Sequence, residues 1–310
     1  MKVTAVAQPG SVSAAISTQV SQAVTAALQA VRTLGNDFIV NDSLWFAEND
    51  RGRVTPCVMN SAAFISKTFL AHLEGLGWTK EKELLEQRID AYVELRTEGP
   101  TYRIAADRFV AYFQSFLITP EGATALSEAG TLDRLFTKLY GAYVSRPFVY
   151  PDGLPVHLQA YAVPSSEPLT VRVGLEFETG NIASSFRSLY KLGFLYGEGE
   201  IDAGVFITSI DKNTCACRIW PVSNRNGSFQ ELKQRNYKRM VVLPLWEFGF
   251  APDGFSHKAS FLGSDSQLFE PVSTSKTLTG RDGNKYEVFT GERGKKILRP
   301  VETSVQVLAT

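Results

Sequence analysis

Val171-Arg172-Val173-Gly174-Leu175-Glu176-Phe177-Glu178 is an apolar run that ends in two carboxylates. Its β-branched and apolar residues predict a strand. Residues i and i+2 of a strand share a face, so Glu176 and Glu178 stand side by side with Phe177 opposite. Carboxylates on an otherwise apolar element need a partner. A hard cation such as Mg²⁺ is the common partner of clustered oxygens.

The flanking sequence extends this strand into an α/β unit. Val156 to Val163 predicts a preceding strand, and Pro164-Ser165-Ser166-Glu167-Pro168 the turn between the two. After Gly180-Asn181, helical spacing runs through Ala183, Phe186, Leu189, Tyr190 and Leu192, and Ile201 to Thr208 reads as another strand. A right-handed crossover would place the two flanking strands parallel. A helix over Phe229 to Arg235 and an apolar strand over Met240 to Phe250 extend the sheet. Residues 151–252 are therefore expected to form the core.

The first half reads as mainly helical. Val12, Ile16, Val20, Val24, Leu28 and Val31 form a narrow apolar stripe, and Ala62 to Leu76 carries Phe64, Phe69 and Leu73 on one side. Residues 79–96 are charged and read as helix. Tyr102, Phe109, Tyr112, Phe113 and Phe116 make an aromatic face expected in the core. Thr119-Pro120-Glu121 opens a short helix, and Leu132 to Tyr143 repeats at helical spacing. Residues 1–150 thus predict a helical elaboration that packs on the core and contributes dimer or DNA contacts. Residues 253–310 are a polar extension with short strands near Tyr286 to Phe289 and no assigned role.

Composition limits the alternatives. Lys plus Arg and Asp plus Glu both number 32 in 310 residues, so net charge does not select a polyanionic partner; local clustering must. Three cysteines and three histidines support neither a disulfide framework nor a zinc site, and reduced thiols are the expected state. Met1-Lys2 is followed by no sustained apolar run, so no signal peptide is expected, and no window nears the ~18 apolar residues of a membrane span. No Ser-His-Asp constellation is visible.

The acidic residues can be read as a metal-dependent phosphodiesterase site. Phosphodiester hydrolysis needs charge neutralised on the phosphoryl oxygens and hydroxide generated near neutral pH, both of which Mg²⁺ held by carboxylates supplies. On this reading Glu167, Glu176 and the Phe177 carbonyl hold metal, and Glu178 orients or deprotonates the attacking water.

The order of these segments resembles the restriction endonuclease group of BglII and BstYI, with BamHI a more distant relative by fold. The resemblance rests on Glu176-Phe177-Glu178, the helix with Tyr190-Lys191, Ile201-Asp202-Ala203-Gly204-Val205 and Val241-Val242-Leu243-Pro244-Leu245. Upstream, Phe64 to Trp78 looks like the group's helix that ends in a Gly-Trp or His-Trp pair. Together these cover residues 60–78 and 165–250. The resemblance implies an α/β core of PD-(D/E)xK type, with a mixed central sheet flanked by helices. It implies a bacterial, cytoplasmic type II enzyme that cuts both strands of DNA at a short palindrome with Mg²⁺. A homodimer and a cognate DNA methyltransferase belong to such a system. Glu167, or Asp152 on a shifted loop alignment, takes the place of the group's Asp, Glu176 of its Glu, and Glu178 of its Gln.

Basic clusters fit double-stranded DNA as a partner. Seven basic residues face two acidic ones between 211 and 240, and seven face three between 276 and 299. Lys191 on the crossover helix is a candidate phosphate contact, and Asn224, Arg225 and Asn226 are candidate base readers. Two other classes share some of these features. A glycoside hydrolase would place its carboxylates across a cleft rather than on one strand. A non-catalytic DNA-binding or assembly protein retaining the fold would bind no divalent metal.

Overall fold

The computed structural model describes residues 1–9, 12–96, 100–149, 154–179, 182–210, 228–237, 241 and 243–301. Six strands form a mixed sheet: β1 (Lys2–Ala7), β2 (Thr79–Leu84), β3 (Gln87–Arg96), β4 (Thr170–Glu178), β5 (Ala203–Ser209) and β6 (Leu245–Ala251). Their order is β1-β6-β5-β4-β3-β2. The longer helices are α1 (Ala14–Gln29), α2 (Ala62–Gly75), α3 (Ala106–Leu117), α4 (Pro120–Ala129), α5 (Leu132–Tyr143) and α6 (Ile182–Gly197).

The centre of the sheet follows the sequence reading. β5 pairs in parallel with β4 through Phe206↔Glu176 and with β6 through Phe206↔Glu247. α6 connects β4 to β5, which makes the expected strand–helix–strand unit. Every residue of β5 is buried, as a parallel strand covered on both faces requires. Gly204 is needed within it, because a Cβ there would lie 2.8 Å from Leu243 Cδ1. β1 closes one edge antiparallel to β6.

Residues 79–96 are a correction. They form the antiparallel hairpin β2–β3, not a helix. Leu84 pairs with Gln87, leaving a loop of Leu85 and Glu86 whose φ values, 45° and 61°, are both positive. This is the type I′ geometry, which matches strand twist. Ile89, Ala91 and Val93 bury on the sheet, while the charges of β2 face solvent on an edge strand. The first half therefore supplies strands as well as helices. Val156–Gln159 is likewise a short helix rather than a strand, and Ala162–Ser165 pairs with Thr101–Ile104 instead.

The described chain clusters into two compact units. Residues 1–12, 17–93 and 173–310 form the first; residues 13–16 and 94–172 form the second. The units part at 93/94 and 172/173. In the first unit, Val272–Thr279, Lys285–Thr290 and Lys296–Pro300 join Trp45–Glu48 and Val54–Cys57 in a five-stranded sheet. Its core is Trp45, Phe261, Phe289 and Ile297. The second unit packs α3, α4 and α5 around Phe109, Tyr112, Phe113, Phe116, Leu135 and Leu139. The aromatic face of α3 is core, as its spacing predicts. Thr119 and Thr131 cap α4 and α5 by accepting from the Gly122 and Arg134 amides, and Gly130 ends α4 at φ 78°.

Candidate active site

The end of β4 is held from both faces of the sheet. Phe177 stacks on Phe69 of α2 with ring centroids 4.8 Å apart, and on Phe250 of β6 at 5.3 Å. This apolar anchorage fixes the strand and turns Glu176 and Glu178 to the opposite face. There α6 supplies their partners. Lys191 Nζ lies 2.6 Å from Glu176 Oε1 and donates to the Arg88 carbonyl at 2.6 Å. The Ser188 hydroxyl donates to Glu178 Oε2 at 3.3 Å.

A third carboxylate enters from the neighbouring strand. The Phe177 amide donates to Asp90 Oδ2 at 2.7 Å. Within an extended strand a residue's N–H and C=O point to the same edge. The Phe177 carbonyl therefore faces the strand that carries Asp90. Burial pushes the Asp90 carboxyl above its usual range, against the Phe177 amide and the Lys191 charge. Burial, and next the Asp90 charge, push Glu176 from 4.5 up to about 7; Lys191 and Ser188 counteract them. Two carboxylates sharing one site at neutral pH repel unless a cation joins them.

Glu176 Oε1 is buried, and the cation it meets is the Lys191 ammonium, 2.6 Å away. Among the described residues no three His, Cys, Asp or Glu side chains group to hold an ion. The oxygens that could hold an ion are those of the Asp90 and Glu176 carboxylates and the Phe177 carbonyl. All are hard oxygens of the kind Mg²⁺ prefers.

Of the residues singled out in the sequence, Glu176, Phe177, Glu178 and Lys191 meet here. Lys191 sits beside Glu176, with its side chain 19% exposed. Glu167 lies in the second unit. It is exposed and pairs with Arg103, and its amide donates to Ser165 Oγ at 3.2 Å. Asp152, Asn224, Arg225 and Asn226 lie outside the described residues. Asp90 is the residue the sequence reading missed. Its one signal is a single carboxylate within the apolar run Ile89-Asp90-Ala91-Tyr92-Val93, which a helical reading of 79–96 conceals.

The model of the family described as restriction endonuclease BamHI matches residues 2–265. No curated protein matches the chain. The match runs far beyond residues 60–78 and 165–250. It takes in β1 and the β2–β3 hairpin as well as Glu176, Glu178 and Lys191, and it ends before the strands after residue 271. No helix among the described residues is long and apolar enough to cross a membrane. With its mixed sheet flanked by helices and matched over most of its length, the chain belongs to the BamHI family of type II restriction endonucleases, site-specific deoxyribonucleases that hydrolyse double-stranded DNA.

Proposed function

We propose that this endonuclease is Mg²⁺-dependent and cuts both strands of a short palindrome as a homodimer, using Asp90, Glu176 and Glu178. The observation that carries the assignment is the convergence of Asp90 and Glu176 on the Phe177 main chain, with Glu176 raised to about 7 by burial and by Asp90. Asp90 takes the ligand role that the sequence reading gave to Glu167. Asp90, Glu176 and the Phe177 carbonyl would hold the ion, in a core of PD-(D/E)xK type.

When bound, Mg²⁺ neutralises charge on the phosphoryl oxygens and eases deprotonation of water near neutral pH. Glu178, one side chain along the same strand face, accepts the proton of the attacking water, and Ser188 fixes its orientation. Lys191 holds Glu176 in place and balances part of its charge. The Phe69–Phe177–Phe250 stack keeps the strand end rigid, as in-line attack on a phosphodiester demands. In-line attack with the 3′ oxygen as leaving group, as the family resemblance implies, leaves 5′-phosphate and 3′-hydroxyl ends.

A palindrome has two-fold symmetry, and a two-fold dimer places one such site on each strand. A cell holding this activity needs a matching DNA methyltransferase to protect its own sites, which puts the enzyme in the bacterial cytoplasm beside its substrate. The test is incubation with unmethylated phage DNA in Mg²⁺ and in EDTA. Discrete fragments in Mg²⁺ alone are expected. A smear would reject sequence specificity, and intact DNA over a range of salts would favour a non-catalytic DNA-binding protein of the same fold.

A further inference from the structure

A cleft of about 570 Å³ opens on the α2 side of the sheet, with Asp90 and Phe177 in its wall. Its other walls are mixed: Ser66, Lys67, Thr68 and His72 come from α2 together with Leu70 and Ala71, and Lys80 comes from the edge strand β2. Lys80 pairs in register with Ala91, the neighbour of Asp90. Glu81 also reaches the cleft, but the Arg88 guanidinium pairs with it. Lys67 is tethered through a 2.8 Å bond to the Ser264 carbonyl. Neither the Lys80 nor the His72 side chain has a hydrogen bond or ion pair among the described residues. A cationic side chain with no internal partner, in a cleft that Asp90 also lines, is suited to an anion that arrives with the substrate.

We infer that this cleft seats a backbone phosphate of the cleaved strand, next to the scissile one, with Lys80 as its charged contact and His72 as a second donor. The inference rests on the nuclease reading and deepens it. The substrate is a polyanion whose reacting phosphate must reach Asp90, so its neighbour along the strand must pass the surface beside Asp90. The Lys80 ammonium offsets the repulsion that Asp90 and Glu81 exert on that phosphate. The contact is to backbone, so it sets position and affinity and reads no sequence.

The experiment measures binding of Lys80→Ala and His72→Ala proteins to cognate and non-cognate duplexes over a range of salt, in Ca²⁺. Replacing Lys80 is expected to lower the slope of log K against log salt by about 0.9. It is also expected to weaken both duplexes by the same factor. A cognate duplex with a single uncharged methylphosphonate, scanned along the cleaved strand, then locates the contact. At one position next to the scissile phosphate, wild type should lose affinity while Lys80→Ala loses no more. An unchanged slope in Lys80→Ala, or equal sensitivity of both proteins at every position, would overturn the cleft assignment while wild-type cutting upholds the nuclease reading. Failure of wild type to bind or cut DNA would overturn both. Lys80 lies on a partly exposed edge strand, so its replacement leaves the core intact.

Discussion

The Phe177 amide donates to Asp90 Oδ2 at 2.7 Å, joining residues 87 positions apart across neighbouring strands. The bond ties the acidic end of β4 to β3 and sets Asp90 close enough to raise Glu176. Its removal separates two roles. Asp90→Ala leaves the Phe177 amide without an acceptor, at a cost of about 1–3 kcal/mol. Asp90→Asn keeps an oxygen for that amide but loses the charge. Both variants are expected to cut at least about a hundredfold more slowly in single-turnover assays, a loss on the scale of a displaced catalytic group, and only Asp90→Ala should lose stability. Wild-type cutting by Asp90→Asn would remove Asp90 from the site.

The Glu176 carboxyl makes the metal-free protein's stability depend on pH. Burial first, then Asp90, raise it from 4.5 to about 7 in the folded state. Between those values the folded chain holds a proton that the unfolded chain has released, so stability falls as pH rises through the window and stays lower above it. The size is on the order of 3 kcal/mol at full ionisation. Glu176→Gln removes this dependence. Urea unfolding in EDTA at pH values spanning the window is expected to show wild type losing stability relative to Glu176→Gln. Above it, added Mg²⁺ should return stability to wild type alone. A constant difference between the two proteins over the whole range would refute the assignment.

Lys191 is the counter-charge on the same oxygen, 2.6 Å from Glu176 Oε1. Lys191→Met leaves that carboxylate buried with Asp90 beside it, and Glu176 moves further upward in response. Truncating one partner of a buried pair costs about 3–5 kcal/mol when the other stays charged. The loss is therefore expected to be largest well above neutrality and to shrink at acidic pH, where Glu176 takes up a proton. The double variant with Glu176→Gln should recover most of it. Equal destabilisation by Lys191→Met at acidic and alkaline pH would mean that Lys191 acts through packing alone.

The stack of Phe177 between Phe69 and Phe250 predicts a different kind of loss. Phe69 is fully buried on α2. Phe69→Ala opens a cavity and is expected to cost about 3–5 kcal/mol in denaturant unfolding. It also frees the strand end that carries Glu176 and Glu178, so cutting should fall further than the unfolded fraction explains. Phe69→Leu should restore much of both.

These residues show which parts of the fold were legible. β4, α6 and β5 could be read because their patterns are unmixed: an apolar run buried on both faces, a helix with one apolar stripe, and a second apolar run. The β2–β3 hairpin could not. Lys80, Glu81, Lys82 and Glu83 face solvent on an edge strand, where charge prevents edge pairing, and the same charges read locally as a polar helix. The turn gave no warning, since Leu85 and Glu86 occupy positive-φ positions where Asn-Gly is the usual signal. With the hairpin hidden, Asp90 was hidden too. Glu176 and Glu178 were visible because period-two spacing within one strand needs no knowledge of its neighbours. A ligand from another strand needs the sheet order, which no local pattern contains.

Glu167 tests that distinction directly. It stands nine residues before Glu176 in sequence, but its carboxylate is exposed and paired with Arg103 in the second unit. An exposed ion pair contributes about 0.2–1 kcal/mol at most. Glu167→Ala is therefore expected to fold with near-wild-type stability and to cut within about threefold of wild type, against a loss of at least about a hundredfold for Asp90→Asn. Both variants are measured side by side on one substrate in Mg²⁺. If Glu167→Ala loses cutting while Asp90→Asn keeps it, the first ligand belongs to the β4 approach rather than to β3. The Asp90–Phe177 bond would then be a strand clamp with no part in the chemistry.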